Sequence, residues 1–309
     1  MQEKVFMGID GGGTYTRVAI ANEEGIILSH VKWNGGAHVR KNATAKVNVH
    51  QAIMSALEHA NCAVEDVCAL GAGIAGYDSE EDLKKINELT EIPGLSCAKK
   101  HANDAVVAHV GALLGQPGIL AISGSGSIVY GITEKGEHIR NYDFNHRSKT
   151  GAQHLTFAFV HRVLAGDIDE TDDEIVQALL KHFKVKNIPE LAWLGAAGFE
   201  NAYDKRKELF GSFAKSITDA AISNSNLAKA VCEQAALNLS TGIKMVGACF
   251  ESDAINVALT GSVANSKYIK ERIGKRLLSA RNKSFILSEP VLQPEFGAIV
   301  MAMREMNIS

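Results

Sequence analysis

The sequence of 309 residues is poor in cysteine, carries little net charge and contains no apolar run long enough to span a bilayer. Its five cysteines are odd in number and form no Cys-x-x-Cys pair, which argues against a zinc or iron–sulfur centre and favours buried thiols in a reducing cytoplasm. A net charge of −3, without a block of lysine or arginine, disfavours nucleic-acid binding. Because the chain enters an apolar strand at once, we expect no cleaved signal peptide, no membrane association and a cytoplasmic location.

What the sequence does contain is typical of a globular α/β protein. Apolar residues make up 46% of the chain and charged residues 22%, and 309 residues suit two domains with separate cores. We expect an N-terminal domain over residues 1–115 and a C-terminal domain over residues 116–293, with a helical insertion at about 152–248. The closing segment 294–309 is expected to pack back on the first domain.

The spacing of apolar residues predicts the individual elements. Strands of a meander are expected at residues 5–9, 17–21 and 26–32, buried strands at 67–75 and 254–259, and an edge strand at 285–287. A second meander is expected to begin at residue 119. Amphipathic helices are expected at residues 44–60, 105–114, 152–164, 172–183, 204–223, 227–246 and 294–305. Further helices are expected to start near residue 79 and after residue 265.

Two glycine-rich turns look like one structural part used twice. Residues 10–14 read Asp-Gly-Gly-Gly-Thr and residues 123–127 read Ser-Gly-Ser-Gly-Ser, and each run lies between two apolar strands. Successive exposed N–H groups in such turns make an anion cradle, although a plain β-turn or a flexible linker would use the same residue types. The predicted phosphate contacts are Gly11, Gly12, Gly13, Thr14 and Thr16 in the first turn and Gly124, Ser125, Gly126 and Ser127 in the second.

Neither turn has the form of the common nucleotide motifs. The Gly-Lys-Ser/Thr ending of a P-loop is missing, and a strand rather than a helix follows each turn, unlike a Rossmann fingerprint.

Asp10, at the strand end beside the first turn, is predicted to hold Mg²⁺ that accompanies the phosphates of ATP. The alternative is an aspartate that hydrogen-bonds to its own backbone in a tight turn.

Asp104 is the predicted general base. It precedes an apolar helix, and a carboxylate there can take the proton of an attacking hydroxyl. The same position suits a helix N-cap, which would satisfy free N–H groups without any catalytic role.

A third candidate segment, residues 261–265, follows a buried strand. Its small residues could provide a flat floor for the base and ribose of a nucleotide, and they could equally form a strand-to-helix loop capped by Ser262. The predicted nucleotide contacts in this segment are Gly261, Ser262 and Asn265.

The order of these segments resembles the actin-like ATPase superfamily of sugar kinases, and more narrowly the BadF/BadG/BcrA/BcrD ATPase group, which includes N-acetylglucosamine kinases. The resemblance rests on residues 10–14, 103–105, 123–127 and 260–263, with 294–298 fitting the closing helix. It implies an α/β fold of two RNase H-like domains around a nucleotide and sugar cleft, ATP and Mg²⁺ as cofactors, and Asp104 as the base. It also implies a small-molecule sugar as substrate, and leaves a homodimer open. The sugar contacts it implies are Gly36, His38, Gly76, Asn103, Asp104, Arg147 and Lys149.

Residues 141–151 depart from that group. Amino-sugar kinases carry a Gly-Trp-Gly stretch and then Gly-Asp-Glu-Gly-Ser there, whereas in this chain only Gly151 keeps its place and Lys149-Thr150 replaces the acidic pair. Residues 34–38 also have alanine where the group commonly has asparagine. A positive field suits a sugar with a carboxylate, such as N-acetylmuramic acid paired with Arg147 or Lys149. The alternative is a solvated surface loop.

The predicted function is ATP-dependent phosphorylation of a hydroxyl of N-acetylglucosamine, N-acetylmuramic acid or both. Two other functions are open. One is an ATPase that activates a 2-hydroxyacyl-CoA dehydratase-type partner, for which the sequence lacks a convincing cysteine pair. The other is a sugar sensor that keeps the fold but has lost turnover.

Overall fold

The computed structural model describes residues 4–41 and 43–308. The chain divides into two compact units, one formed by residues up to Gln116 together with those from Glu289 onward, the other by Pro117–Ser288. Ser309, the last residue of the predicted closing segment, lies outside the described residues, as do the first three residues of the predicted N-terminal domain.

The first unit is a five-stranded mixed sheet with helices on both faces. Strands β1, β2 and β3 form an antiparallel meander, and β1, β4 and β5 run parallel, in the order β3-β2-β1-β4-β5. The strands are β1 (Val5–Gly11), β2 (Thr16–Asn22), β3 (Ile27–Trp33), β4 (Val67–Ile74) and β5 (Ala98–Asn103). The helices are α1 (Ala45–Ala60), α2 (Glu80–Leu89), α3 (Asp104–Leu113) and the last helix of the chain, α10 (Pro294–Glu305).

Alternation along β1 explains how both faces of this sheet are covered. Met7 and Ile9 point into the core formed with α1 and α2, whereas Phe6 points into a smaller core with α10. The backbone of α10 comes so close to the sheet that a Cβ atom on Gly8 would lie 2.0 Å from the carbonyl oxygen of Glu295. Glycine at that position therefore lets the first turn of α10 approach β1 near Asp10.

The second unit repeats this sheet and adds more helices. Its strands are ordered β10-β9-β6-β7-β8, with an antiparallel meander and two parallel strands as in the first unit. They are β6 (Gly118–Ser123), β7 (Ser127–Ile132), β8 (His138–Arg140), β9 (Ala254–Thr260) and β10 (Ser284–Ser288). The helices are α4 (Ala152–Ala165), α5 (Asp173–His182), α6 (Ile188–Ala196), α7 (Tyr203–Ile222), α8 (Asn226–Gly247) and α9 (Lys267–Leu278).

The repeated topology confirms the predicted α/β class and the inference that one structural part occurs twice. In the second unit α4, α7 and α8 build the largest core, in which the rings of Phe157 and Phe210 stack with centroids 3.8 Å apart. The predicted helices and the first meander are observed with boundaries shifted by one or two residues. The third strand of the predicted second meander is observed as β8, whereas sequence reasoning missed β5 and α6.

Two expectations from composition can be compared with the structure. None of the described helices has both the length and the apolar character needed to cross a bilayer. The prediction that the cysteines are buried is wrong for most of them, because only Cys232 is fully buried and Cys249 is exposed. Cysteine behaves as a small apolar residue, but a partly exposed position tolerates it as well.

Candidate active site

In the first unit, three strand ends place the predicted site residues side by side. The strand register pairs Gly11 with Ile74 and Ile74 with Asn103 across the parallel strands β1, β4 and β5. The carboxyl ends of parallel strands lie at one edge of a sheet. The glycine turn, the loop after β4 and Asp104 at the start of α3 therefore emerge next to one another.

The first glycine turn is a tight hairpin with an open outer side. The Gly12 N–H donates to the carbonyl of Tyr15 at 3.0 Å, and the Gly12 carbonyl accepts from the Ala37 N–H at 2.9 Å. Gly36 packs beneath the turn, where a Cβ atom would lie 2.4 Å from the Gly13 carbonyl oxygen. Gly13 itself has open space around it, so a ligand can approach this backbone closely.

Asp10 lies in β1 and is nearly buried, with one carboxylate oxygen 2.6 Å from Arg17 Nη1. The pKa of Asp10 is raised to about 7. Burial is the main cause, the nearby charges of Asp104 and Glu295 act in the same direction, and Arg17 acts against them. Thr16 is fully buried and its hydroxyl donates to the Gly35 carbonyl at 2.7 Å. The Thr16 side chain therefore holds the neighbouring loop.

The donor set at Asp10 fits Mg²⁺ that arrives with phosphates. Within residues 4–41 and 43–308, no group of three or more His, Cys, Asp or Glu side chains could hold a metal ion unaided. Mg²⁺ commonly takes one or two carboxylates together with substrate phosphates and water. The negative charges of Asp104 and Glu295 act on the Asp10 carboxyl group, and only the guanidinium of Arg17 opposes them. A divalent cation beside Asp10 would therefore be stabilised.

Asp104 is not the N-cap of α3. The cap is Asn103, whose Oδ1 accepts from the Ala105 N–H at 2.9 Å, and Asp104 is the first residue of the helix. Asp104 Oδ1 shares the same N–H at 3.0 Å. Burial raises the pKa of Asp104 to about 6, with the charge of Asp78 acting in the same direction. The N-cap of α3 is therefore Asn103, and the Asp104 carboxyl group is a second acceptor for the same N–H.

Asn103 also ties the predicted sugar segments together. Its Nδ2 donates to the Tyr77 carbonyl at 3.0 Å, in the loop after β4. In the same loop Gly76 has φ +84° and packs against the ring of His38, where a Cβ atom would lie 2.4 Å from Cε1. The structure thus brings Gly36, His38, Gly76, Asn103 and Asp104 to the same end of the first sheet.

In the second unit, the second glycine turn also joins two antiparallel strands, and it is one residue shorter than the first. The Gly124 N–H donates to the Gly126 carbonyl at 2.9 Å, Ser123 pairs with Ser127, and both Ser125 and Gly126 are exposed. A Cβ atom on Gly126 would meet nothing within 4 Å. This turn therefore also leaves its outer backbone open to a ligand.

The segment of residues 141–151 is packed against the second turn rather than solvated. Ser148 and Thr150 are buried, and the Ser148 hydroxyl lies 3.1 Å from the hydroxyl of Ser127. The hydroxyl of Ser123 donates to the Thr150 carbonyl at 2.8 Å. These contacts bury Ser148 and Thr150, whereas Arg147 and Lys149 are exposed, as the alternative of a solvated surface loop expects for them.

Ser148→Ala is expected to loosen the second turn. The change removes the hydroxyl that donates to Ser127 and leaves only the Thr150 N–H there, which costs about 1 kcal/mol of folding free energy. If Ser127 contacts phosphate, the Michaelis constant for ATP rises several-fold. Urea unfolding and ATP titration kinetics measure the two effects. Ser212→Ala, at an exposed position of α7, is the control. An unchanged ATP constant despite lost stability would show that the turn does not bind the nucleotide.

The nucleotide segment after β9 is attached to the same turn. The Ser123 carbonyl accepts from the N–H groups of Val263 and Ala264 at 2.9 and 3.0 Å. Gly261 has φ +92°, and a Cβ atom there would lie 2.3 Å from the Ser123 carbonyl oxygen. Ser262 and Asn265 are exposed. Ser262 is not a helix cap, because α9 begins at Lys267 after Ser266.

Sequence reasoning missed three side chains near Asp10. Arg17 is found only from the register of the β1–β2 hairpin, which pairs it with Asp10. Glu295 is fully buried in the first turn of α10 and lies 2.6 Å from His30 Nε2. A charged residue at the start of the apolar run 296–303 was a usable signal for Glu295, whereas His30 had none.

Comparison with known proteins adds to this geometry. The sequence model of the BadF/BadG/BcrA/BcrD ATPase family matches residues 7–302. An N-acetylmuramic acid/N-acetylglucosamine kinase from Clostridium acetobutylicum is 25% identical over 98% of this chain and 99% of its own length. An N-acetyl-D-glucosamine kinase from Dictyostelium discoideum is 24% identical over the same shares.

A solved structure confirms the fold. A protein from Chromobacterium violaceum, provisionally described as an N-acetylglucosamine kinase, superimposes with a TM-score of 0.76 at 20% identity. The alignment covers 97% of this chain and 99% of that one. The predicted actin-like ATPase architecture is therefore confirmed.

Proposed function

Because the chain belongs to the BadF/BadG/BcrA/BcrD ATPase family, we propose that it transfers the γ-phosphate of ATP to a hydroxyl of an N-acetylated amino sugar. The observation that carries this proposal is the register row Gly11–Ile74–Asn103, which sets an open glycine turn and a partly buried carboxyl group at one sheet edge. Phosphoryl transfer needs groups that position phosphates and a base for the attacking hydroxyl, and the open turn and the carboxyl group at this edge support these two roles.

The contacts support a role for each segment. The open backbone of residues 11–14 and 124–127 is proposed to hold phosphates of ATP, and residues 261–265 its nucleoside. Asp104 is proposed to accept the proton of the sugar hydroxyl, with Asn103 fixing the start of α3. Mg²⁺ near Asp10, when bound with the phosphates, supplies positive charge against the charge that develops on the transferred group.

An ATP-coupled assay over a panel of hexosamines tests the proposal. ADP formation is expected to depend on N-acetylglucosamine or N-acetylmuramic acid, and to stay at background without sugar. Sugar-independent ADP formation by protein that contains iron would favour the dehydratase activator instead. Sugar binding without any ADP formation would favour the sensor.

The pH dependence of kcat/KM for the sugar, at saturating ATP, tests Asp104 separately. The base works only when ionised, and its pKa is raised to about 6, so activity is expected to fall as pH drops through an apparent pKa of about 6. In the residual activity of Asp104→Asn, the fall at low pH that Asp104 causes should be absent. A wild-type limb near an ordinary aspartate pKa of about 4 would contradict the assignment.

A further inference from the structure

Two loops of the first unit are joined by a paired arginine and aspartate. Arg40, in the loop after β3, donates from Nε to Asp82 Oδ1 at 2.9 Å and from Nη2 to Asp82 Oδ2 at 2.5 Å. Asp82 lies in the first turn of α2, directly after the loop that follows β4, and it is buried. A guanidinium that reaches both oxygens of one buried carboxylate fixes the direction of both groups, unlike an ordinary surface ion pair.

Asp82 does not need Arg40 in order to cap α2. The N–H groups of Asp78 and Ser79 donate to Asp82 Oδ2 at 3.2 and 3.1 Å, and the Ser79 hydroxyl donates to the same oxygen at 3.0 Å. These contacts are local to the start of the helix and form a capping box. Arg40 lies 42 positions earlier in the chain, so its pairing with Asp82 joins two loops rather than completing the cap.

The loops that this pair joins carry two of the predicted sugar contacts, His38 and Gly76. The Val39 N–H donates to the Ala75 carbonyl at 3.0 Å, and the Arg40 N–H donates to His38 Nδ1 at 3.3 Å. The His38 ring packs on Gly76, where a Cβ atom would lie 2.4 Å from Cε1. Because Nδ1 accepts this bond, the neutral His38 ring carries its proton on Nε2. Arg40 therefore orients the ring with its backbone and anchors the loop with its side chain.

We propose that Arg40 is a positioning residue for the acceptor: through Asp82 it holds the loop after β3 against the loop after β4, and so fixes His38 and Gly76. The inference rests on the proposed kinase function and deepens it, because it assigns to acceptor binding a residue that acts through other residues. A displacement of about 1 Å in a group that positions a substrate is enough to cost much of its effect.

Steady-state kinetics test the positioning role, measured with the sugar that the wild-type protein phosphorylates. Arg40→Met keeps the aliphatic stem and removes the guanidinium. It is expected to raise the Michaelis constant for the sugar about tenfold, while kcat and the Michaelis constant for ATP change less than about threefold. Arg40→Lys should have an intermediate effect, since an ammonium group lacks the fork that matches both oxygens. Arg162→Met, which removes an exposed arginine paired with Asp167, is the matched control and should change none of these constants.

A second carboxylate variant tests whether the two side chains act as one pair. Asp82→Asn keeps an oxygen for the cap of α2 and removes the charge. If the pair is the functional unit, Arg40→Met and Asp82→Asn together should raise the Michaelis constant for the sugar no more than the larger single effect. Additive effects would show that the two residues act separately, which would overturn the proposal.

Hydrogen exchange of the sugar-free protein measures the contact between the loops directly. In Arg40→Met the Val39 N–H, which is bonded to Ala75, should exchange faster, whereas the Gly12 N–H in the first glycine turn should not. Unchanged exchange at Val39 would overturn the proposal, because the pair would then not hold the loops together.

The remaining outcomes separate a positioning role from a merely structural one. Faster exchange at Val39 with an unchanged Michaelis constant for the sugar would overturn the proposal, as would an equal rise of the constants for sugar and ATP. If the wild-type protein forms no sugar phosphate, the kinase function fails, and calorimetric titration of N-acetylglucosamine decides. Weaker binding by Arg40→Met then supports the positioning role, and unchanged or absent binding overturns it.

Discussion

Asp104→Asn is expected to lower kcat by about two to four decades while ATP affinity changes less than about twofold. The amide has the same shape and can still accept from the Ala105 N–H, but it cannot take the proton of the attacking hydroxyl. Steady-state kinetics and nucleotide titration measure the two quantities. Glu88→Gln, on the exposed side of α2, removes a charge from the same unit and should leave kcat unchanged. A loss smaller than about threefold for Asp104→Asn would mean that Asp104 is not the base.

The same variant has a second, opposite effect. The pKa of Asp104 is raised in the folded chain, mainly by burial, so the native state binds more protons than the unfolded state and stability falls as pH rises from about 4 to about 6. Asn removes this cost. Relative to wild type, the variant should gain more thermal stability at pH 8 than at pH 4, which calorimetry can measure. A loss of both activity and stability at pH 8 would indicate a structural role instead.

Gly261→Ala is expected to destabilise the protein by at least about 3 kcal/mol. Alanine would have to adopt a positive φ, and its Cβ atom would clash with neighbouring backbone. The new Cβ atom would lie 2.3 Å from the Ser123 carbonyl oxygen, which accepts two N–H groups from the same segment. Thermal unfolding should show a midpoint lower by roughly 6–12 °C. ATP binding should weaken as well, since the second glycine turn and the nucleotide segment shift together.

Gly126→Ala is the matched comparison for this prediction. It lies in the same unit, has open space around it and is not among the residues with positive φ. Stability should therefore change by less than about 1 kcal/mol, while a methyl group on the proposed phosphate surface raises the Michaelis constant for ATP. Equal destabilisation by both changes would contradict the account of Gly261.

The elements that were not predicted from the sequence are those with a weak apolar pattern. β5 carries two lysines and a histidine, which an edge strand tolerates because one side stays half-exposed. In α6 only Leu191 is buried and Trp193 is 78% exposed, so no apolar stripe marks the helix. Where the stripe was present, as in α7, the predicted and observed boundaries differ by one residue at each end.

The sequence predicts which residues form the candidate site, but it does not predict which of them contact one another. The two glycine turns and Asp104 could be picked out because turn chemistry is local in sequence. The partner of Asp10 depends on hairpin register, and the contacts of Ser148 and Thr150 with the second turn join residues 21 to 27 positions apart. Such long-range contacts leave no local pattern, which is why residues 141–151 looked like a possible surface loop from sequence.

The most direct test of the proposed function is the ratio of sugar phosphate to ADP formed by the purified protein. With N-acetylglucosamine or N-acetylmuramic acid present, mass spectrometry should find one sugar phosphate for each ADP, and almost none of either with Asp104→Asn. ADP formed at the same rate with and without sugar, and no sugar phosphate, would contradict the kinase assignment.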